Sequence, residues 1–165
     1  MKKMTVESTR AVSELMARKA QLNDVGSLFG SEIFHDLDVV GGISVYKALG
    51  QRCFAASVDK INYIRPIYDS EFYRVEAIVT GMGRTSLEVY ATAHVMEGEE
   101  LILAAESFIT FVVEKPEELD PAGNPELVAT TAFHQYLIDG YEERKKVSQA
   151  QRAEQKKRVA GLASS

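Results

Sequence analysis

Residues 86–96, SLEVYATAHVM, alternate without a break. Leu87, Val89, Ala91, Ala93 and Val95 fall on one side of an extended chain, and Ser86, Glu88, Tyr90, Thr92 and His94 on the other. Such a strand wants an apolar layer against one face only. Its neighbours in sequence supply more strands. EGEE turns the chain into LILAAESFITFVVE (101–114), long enough to be a central strand. FYRVEAIVTG (72–81) precedes it and ends in the glycine-bearing turn MGRT. RCFAASVDKINYI (52–64) stops at Arg65-Pro66, where proline removes a donor from the ladder. Strand runs joined by short turns predict an antiparallel sheet. Residues 8–20 fit a helix or a strand, and the strand is the preferred reading.

The apolar layer comes from residues 29–49. They contain no proline and set Ile33, Phe34, Leu37, Val40, Gly41, Val45 and Leu49 at helical spacing. The segment is apolar on more than one side, as a helix wrapped by other structure is, and Gly50 closes it. One long helix and a meander of strands predict an α+β fold with the helix on one sheet face. The other face, with Tyr90, His94 and Phe108, is left partly exposed unless a second subunit covers it. Packing alone therefore predicts a homodimer.

After Pro116 the composition changes. Residues 115–131 read as an irregular proline-bearing connector, followed by a charged helix interrupted at Gly140. The predicted division is a domain over 1–116 and a connector with a charged helical tail over 117–165. The tail gathers Arg144, Lys145, Lys146, Arg152, Lys156, Lys157 and Arg158 in a chain of net charge −5. A solvated helix is the plain reading, and a phosphate- or partner-facing tail the alternative.

The acidic balance, with a pI near 5.3, argues against a nucleic-acid partner. A single cysteine, Cys53, excludes an internal disulfide framework and a cysteine-based zinc site, and fits an intracellular compartment. MKKM is followed by no apolar core of a signal peptide, and no window is apolar enough for a membrane span. A cytoplasmic protein is expected. Nucleophile-elbow, phosphate-loop and dinucleotide motifs are missing, and His35, His94 and His134 lack metal-ligand spacing, so no metal is expected.

NDVGSLFGSEIFHDLD, residues 23–38, is the remaining candidate for chemistry. Gly26 and Gly30 flank an apolar pair just before the long helix. Glycines there let another molecule approach the backbone, where free N–H groups point outward with the helix dipole behind them. Such a terminus can polarise a carbonyl as an oxyanion hole does. Asn23 could position a carbonyl or water. Asp38 lies two turns on between Leu37 and Val39, a setting that disfavours a carboxylate's charge and suits a general base. The same residues also read as turn-forming glycines, a capping asparagine, and Asp36 and Asp38 facing solvent. Spacing leaves both readings open.

In this stretch the chain resembles hotdog-fold acyl-CoA thioesterases of the cytosolic acyl-CoA hydrolase group. Their signature N-x-x-G-x-[LIV]-[FYH]-G-G, six residues and an acid, is matched by Asn23, Gly26, Leu28-Phe29, Gly30-Ser31 and Asp38. ASVDKINYIRPI, GRTSLEV and AAESFITFVV match three further stretches in the family's order, so the resemblance covers roughly 8–114. It implies a long central helix wrapped by about five antiparallel strands, dimers or trimers of dimers, and hydrolysis of acyl-CoA to free CoA and a carboxylic acid. No cofactor is implied, CoA being part of the substrate. By position Asp38 is the implied general base or nucleophile, Asn23 orients water or thioester, and Gly30 and Ser31 offer N–H groups to the thioester oxygen. Asn23 and Asp38 of one site are implied to come from opposite subunits. Arg84, Thr85 and Ser86 match the hairpin that approaches the nucleotide, and Arg65 is nominated for a phosphate. Ser31 departs from the family's second glycine, and its Cβ could narrow the approach or its hydroxyl add a donor. Two rivals share the fold: an acyl-thioester dehydratase, for which His35 is the histidine to nominate, and a binding module that senses acyl-CoA without turnover.

Overall fold

A computed structural model describes residues 2–165. In chain order they form β1 (Lys3–Thr5), β2 (Ala11–Met16), α1 (Gly30–Leu49), β3 (Cys53–Tyr63), β4 (Phe72–Met82), β5 (Ser86–Glu97), β6 (Glu100–Val113), β7 (Glu126–Val128), α2 (Ala132–Asp139) and α3 (Tyr141–Ala163). Five strands make one antiparallel sheet in the order β2-β4-β5-β6-β3. The long run at 101–114 is an interior strand as its length suggests, and the alternating strand β5 takes the centre. β3 is an edge: it pairs only with β6, with register shifts between Ala55 and Ser57 and between Val58 and Ile61.

The ambiguous segment 8–20 is a strand only over 11–16, flanked by short 3-10 turns at Glu7–Thr9 and Lys19–Gln21. As the other edge, β2 buries Ala11 and leaves Val12 and Met16 exposed, which is why its pattern was indistinct.

All five apolar residues predicted on the inner face of β5 are buried, and Ile33, Leu37, Val40 and Val45 of α1 lie in the same core. Leu37 is fully buried, so its truncation to alanine removes about 2–5 kcal/mol. The opposite flank of α1 leaves Val39, Ile43 and Tyr46 about half exposed at i, i+4 and i+7.

The outer sheet face departs from expectation. The sequence leaves it partly exposed unless a second subunit covers it, and the chain itself covers much of it. Val6, Ile78 and Leu137 form a second buried cluster with Tyr90 and Phe108 packed against it, and Phe133 of α2 meets the Tyr90 ring 6.0 Å away. Thr131 caps α2 by accepting from the His134 N–H at 3.0 Å. The connector is less irregular than its prolines suggest, because β7 pairs in parallel with β1. Gly140 separates α2 from α3 as predicted.

Candidate active site

The segment leading into α1 is pinned on both sides. Leu28 N–H donates to the Ile67 carbonyl at 2.8 Å and Phe29 N–H to the Gln21 carbonyl at 3.1 Å. Inside this frame the Asn23 Oδ1 accepts from the N–H groups of Val25 and Ser27, both at 3.1 Å, and Nδ2 donates to the Ser27 hydroxyl at 3.1 Å. Asn23 thus shapes the turn and keeps one amide hydrogen free for another acceptor. Gly26 has φ +81°, a conformation side chains resist, with nothing near its absent Cβ.

Gly30 is glycine for a different reason. The Tyr63 hydroxyl, at the end of β3, donates to the Gly30 carbonyl at 3.0 Å, and a Cβ on Gly30 would lie 2.8 Å from that oxygen. In the sequence nothing beyond its place in ASVDKINYIRPI marks Tyr63. Phe29 supplies no side-chain cap, and the N–H groups of Gly30 and Ser31 have no acceptor among the described residues. They are the first amides of a 20-residue helix, whose dipole favours negative charge at this point. Ser31 is exposed, so its Cβ does not crowd the protein itself.

The two acids that share the helix part company. Tyr73, 1% exposed, donates its hydroxyl to Asp36 at 2.6 Å. Burial first, and Asp36 second, push the Tyr73 phenol well up from its ordinary value. Asp36 therefore serves the core and does not face solvent. His35, the dehydratase nominee, is 70% exposed at the side chain and lies 3.4 Å from this committed carboxylate. Asp38 is half-buried and has no hydrogen-bond partner among the described residues. It lies near Cys53 at the start of β3, whose thiol is pushed up to about 11 by burial and then by the Asp38 charge. Along the helix axis Asp38 is about 12 Å from Gly30.

The residues nominated for nucleotide contact differ from one another. The Arg65 guanidinium is engaged by both oxygens of Glu71, at 3.0 and 3.1 Å, and by Glu97 at 2.8 Å. That bidentate clamp ties the 65–71 loop to the end of β5. Arg84 is exposed, with Thr85 and Ser86 beside it in the β4–β5 hairpin. The hairpin is braced by Asn124 Nδ2, which donates to the Gly83 carbonyl at 2.7 Å. Tyr63 pairs with Ala105 in β6, whereas Ser86 pairs with Val112. The hairpin is therefore about 23 Å along the sheet from the helix start. One chain brings together Asn23, Gly30 and Ser31, sets Asp38 two turns away, and holds Arg84, Thr85 and Ser86 at the far end.

A long helix embraced by a five-stranded antiparallel sheet, with a glycine-bearing turn opening the helix and an unpaired acid on its flank, defines a hotdog domain. Residues 25–102 match the model of the Thioesterase superfamily. The chain is 33% identical over 106 residues to the uncharacterized acyl-CoA thioester hydrolase YkhA of Bacillus subtilis. That match spans 62% of this chain and 58% of the relative's length. The acyl-CoA hydrolase from Bacillus cereus is 29% identical with a TM-score of 0.87 over 98% of each chain. An asparagine-to-alanine mutant of the Staphylococcus aureus acyl-CoA hydrolase, solved in complex with coenzyme A, superposes with a TM-score of 0.91 over 99% of each chain at 21% identity. The last two matches extend through α2 and α3, beyond the residues that the family model spans. Among the described residues no helix is long and apolar enough to cross a membrane, and no cluster of three or more metal-ligating side chains forms.

Proposed function

We propose that the protein is an acyl-CoA thioesterase in which Asp38 drives attack on the thioester carbonyl. The observation that carries this is the pairing of two unsatisfied features on one helix: open N–H groups at Gly30 and Ser31, and a half-buried Asp38 without a partner. An oxyanion formed at the carbonyl faces the N–H groups and the positive end of the dipole. Asp38 either takes a proton from water as the water adds, or adds to the carbonyl itself. In both routes the C–S bond breaks, CoA leaves as its thiol, and water supplies the oxygen of the acid product. The names of the relatives supply the thioester and coenzyme A.

The distances argue for two copies. A two-fold axis through paired β3 edges runs the strands in opposite directions, so the Cys53 end of one copy lies beside the Tyr63 end of the other. The partner's hairpin, with Arg84, Thr85 and Ser86, then lies beside the first copy's helix start, and Asn23 of one chain approaches Asp38 of the next. The half-exposed stripe of Val39, Ile43 and Tyr46 is covered by the same contact. Dimers, or trimers of such dimers, are the assembly this implies.

Release of thiol from a panel of acyl-CoAs tests the reading. The wild type should turn over at least one chain length, and Asp38→Asn should lower kcat by about a hundredfold to ten-thousandfold. A wild type that binds acyl-CoA and releases no thiol is a sensor. Full activity in Asp38→Asn would assign the chemistry to another group.

A further inference from the structure

The α3 helix outlasts the sheet beneath it. Its first residue, Tyr141, lays its ring against Gly81 of β4, where any Cβ would collide. One turn on, Arg144 donates to both oxygens of Glu88 in β5, at 2.8 and 3.0 Å, with its guanidinium 4.2 Å from the centre of the Phe108 ring in β6. After another turn the Ser148 hydroxyl donates to Asp59 of β3 at 3.2 Å. These contacts carry α3 across β4, β5, β6 and β3 in sheet order. β3 is the edge, and every residue from Gln149 onward is exposed. The 15 residues from 149 to 163 extend about 22 Å past it, the width of four to five strands.

That extension keeps a partly apolar stripe. The stripe that faces the sheet at Tyr141, Arg144 and Ser148 continues at helical spacing through Arg152, Gln155, Val159 and Leu162, of which Val159 is 56% and Leu162 74% exposed. A helix so polar overall has little of its own to hold it in water. Its charge indicates what lies beneath. α3 carries seven basic and three acidic side chains, a net +4, which leaves −9 on the rest of a chain whose total is −5.

We propose that residues 149–163 are a strap lying across the outer sheet face of a second copy of this chain, joined to the first at the β3 edge. The inference rests on the edge-to-edge dimer above and adds to it a contact outside the catalytic face. The two straps run in opposite directions across the seam, so each acidic body is clasped by the other's basic helix. Glu88–Arg144 and Gly81–Tyr141 aim the strap, and Val159 and Leu162 touch down on the partner.

Site-directed photo-crosslinking tests it. In a Cys53→Ser background, a benzophenone maleimide is attached at Leu162→Cys, on the sheet-facing stripe, or at Ala150→Cys, on the opposite side of the helix. Irradiation should give at least fivefold more covalent dimer from position 162 than from position 150. Equal yields, or crosslinks within one chain alone, would overturn the strap. Sedimentation of the full chain and of a chain ending at Ser148, which keeps the Tyr141–Gly81, Arg144–Glu88 and Ser148–Asp59 contacts, supplies the second readout. The shortened chain should dissociate at a concentration at least tenfold higher, and an unchanged midpoint counts against the proposal. A monomeric full chain removes both the dimer and the strap. A dimeric full chain with no crosslink at position 162 removes the strap alone. Loss of position-162 crosslinks to anionic vesicles that recruit the full chain but not the shortened one would assign the helix to a membrane surface instead.

Discussion

The helices α1 and α3 are of similar length, 20 and 23 residues, and are held by opposite means. α1 buries seven residues against the sheet, and no single one of them decides its place. α3 buries none, and its place depends on one ion pair, one ring against a glycine and one hydroxyl. A helix set by many apolar contacts tolerates the loss of any one. A helix set by a few polar anchors does not.

Arg144→Ala should break the comparison hardest. It leaves Glu88, whose side chain is 7% exposed, with Thr80 as its remaining side-chain partner, donating at 2.6 Å. Removing one partner of a buried pair costs about 3–5 kcal/mol, measured by urea denaturation. The double replacement Glu88→Leu with Arg144→Leu should recover most of that loss. A cost below about 1 kcal/mol for Arg144→Ala would mean that α3 is held by something other than this pair. Next in size is Tyr73→Phe, which deletes the one polar tie between α1 and β4. It should cost about 1.5–3 kcal/mol and leave α1 in place, with no crystallographic shift of its axis. A displaced α1 would show that the Asp36 contact, and not apolar burial, sets it.

The smallest effect comes from Arg65–Glu71, a two-oxygen clamp like Arg144–Glu88 but with both side chains about one quarter exposed. Hydrogen bonds from Arg65 hold the Glu71 carboxyl below its ordinary 4.5. A depressed acid adds stability above that ordinary value and loses it as pH falls through the folded one. Wild type should therefore lose about 1 kcal/mol more than Arg65→Met on acidification from pH 6 to pH 3. Equal losses would show the clamp to be without consequence.

The same contrast explains what the sequence made legible. Burial writes itself into periodicity: the alternation at 87–95 gave the inner face, and the spacing from Ile33 to Leu49 gave α1 almost to the residue. Polar anchors leave no such trace. Nothing in the charged run around Arg144 distinguishes the one arginine that is tied to Glu88 from its solvated neighbours. The ion pairs of Arg65 are not legible because Glu97, one of its two partners, is 32 residues away in the chain. The self-covered outer face is hard to read because its covering residues, among them Val6, Phe133, Leu137 and Ile138, are scattered amid polar ones far apart in the chain. In the candidate site, Asn23, Gly30, Ser31 and Asp38 were all legible as a motif. Their reasons were only partly so, since Gly30 also makes room for Tyr63.

That last contact couples two motions. The Tyr63 hydroxyl ends the edge strand and rests on the first carbonyl of α1, so fraying of β3 and loosening of the helix start share one latch. Amide hydrogens at Gly30, Ser31 and the last residues of β3 should exchange with solvent in step, and Tyr63→Phe should quicken all of them together. Whatever grips the edge strand will therefore also quiet the open N–H groups at the start of α1.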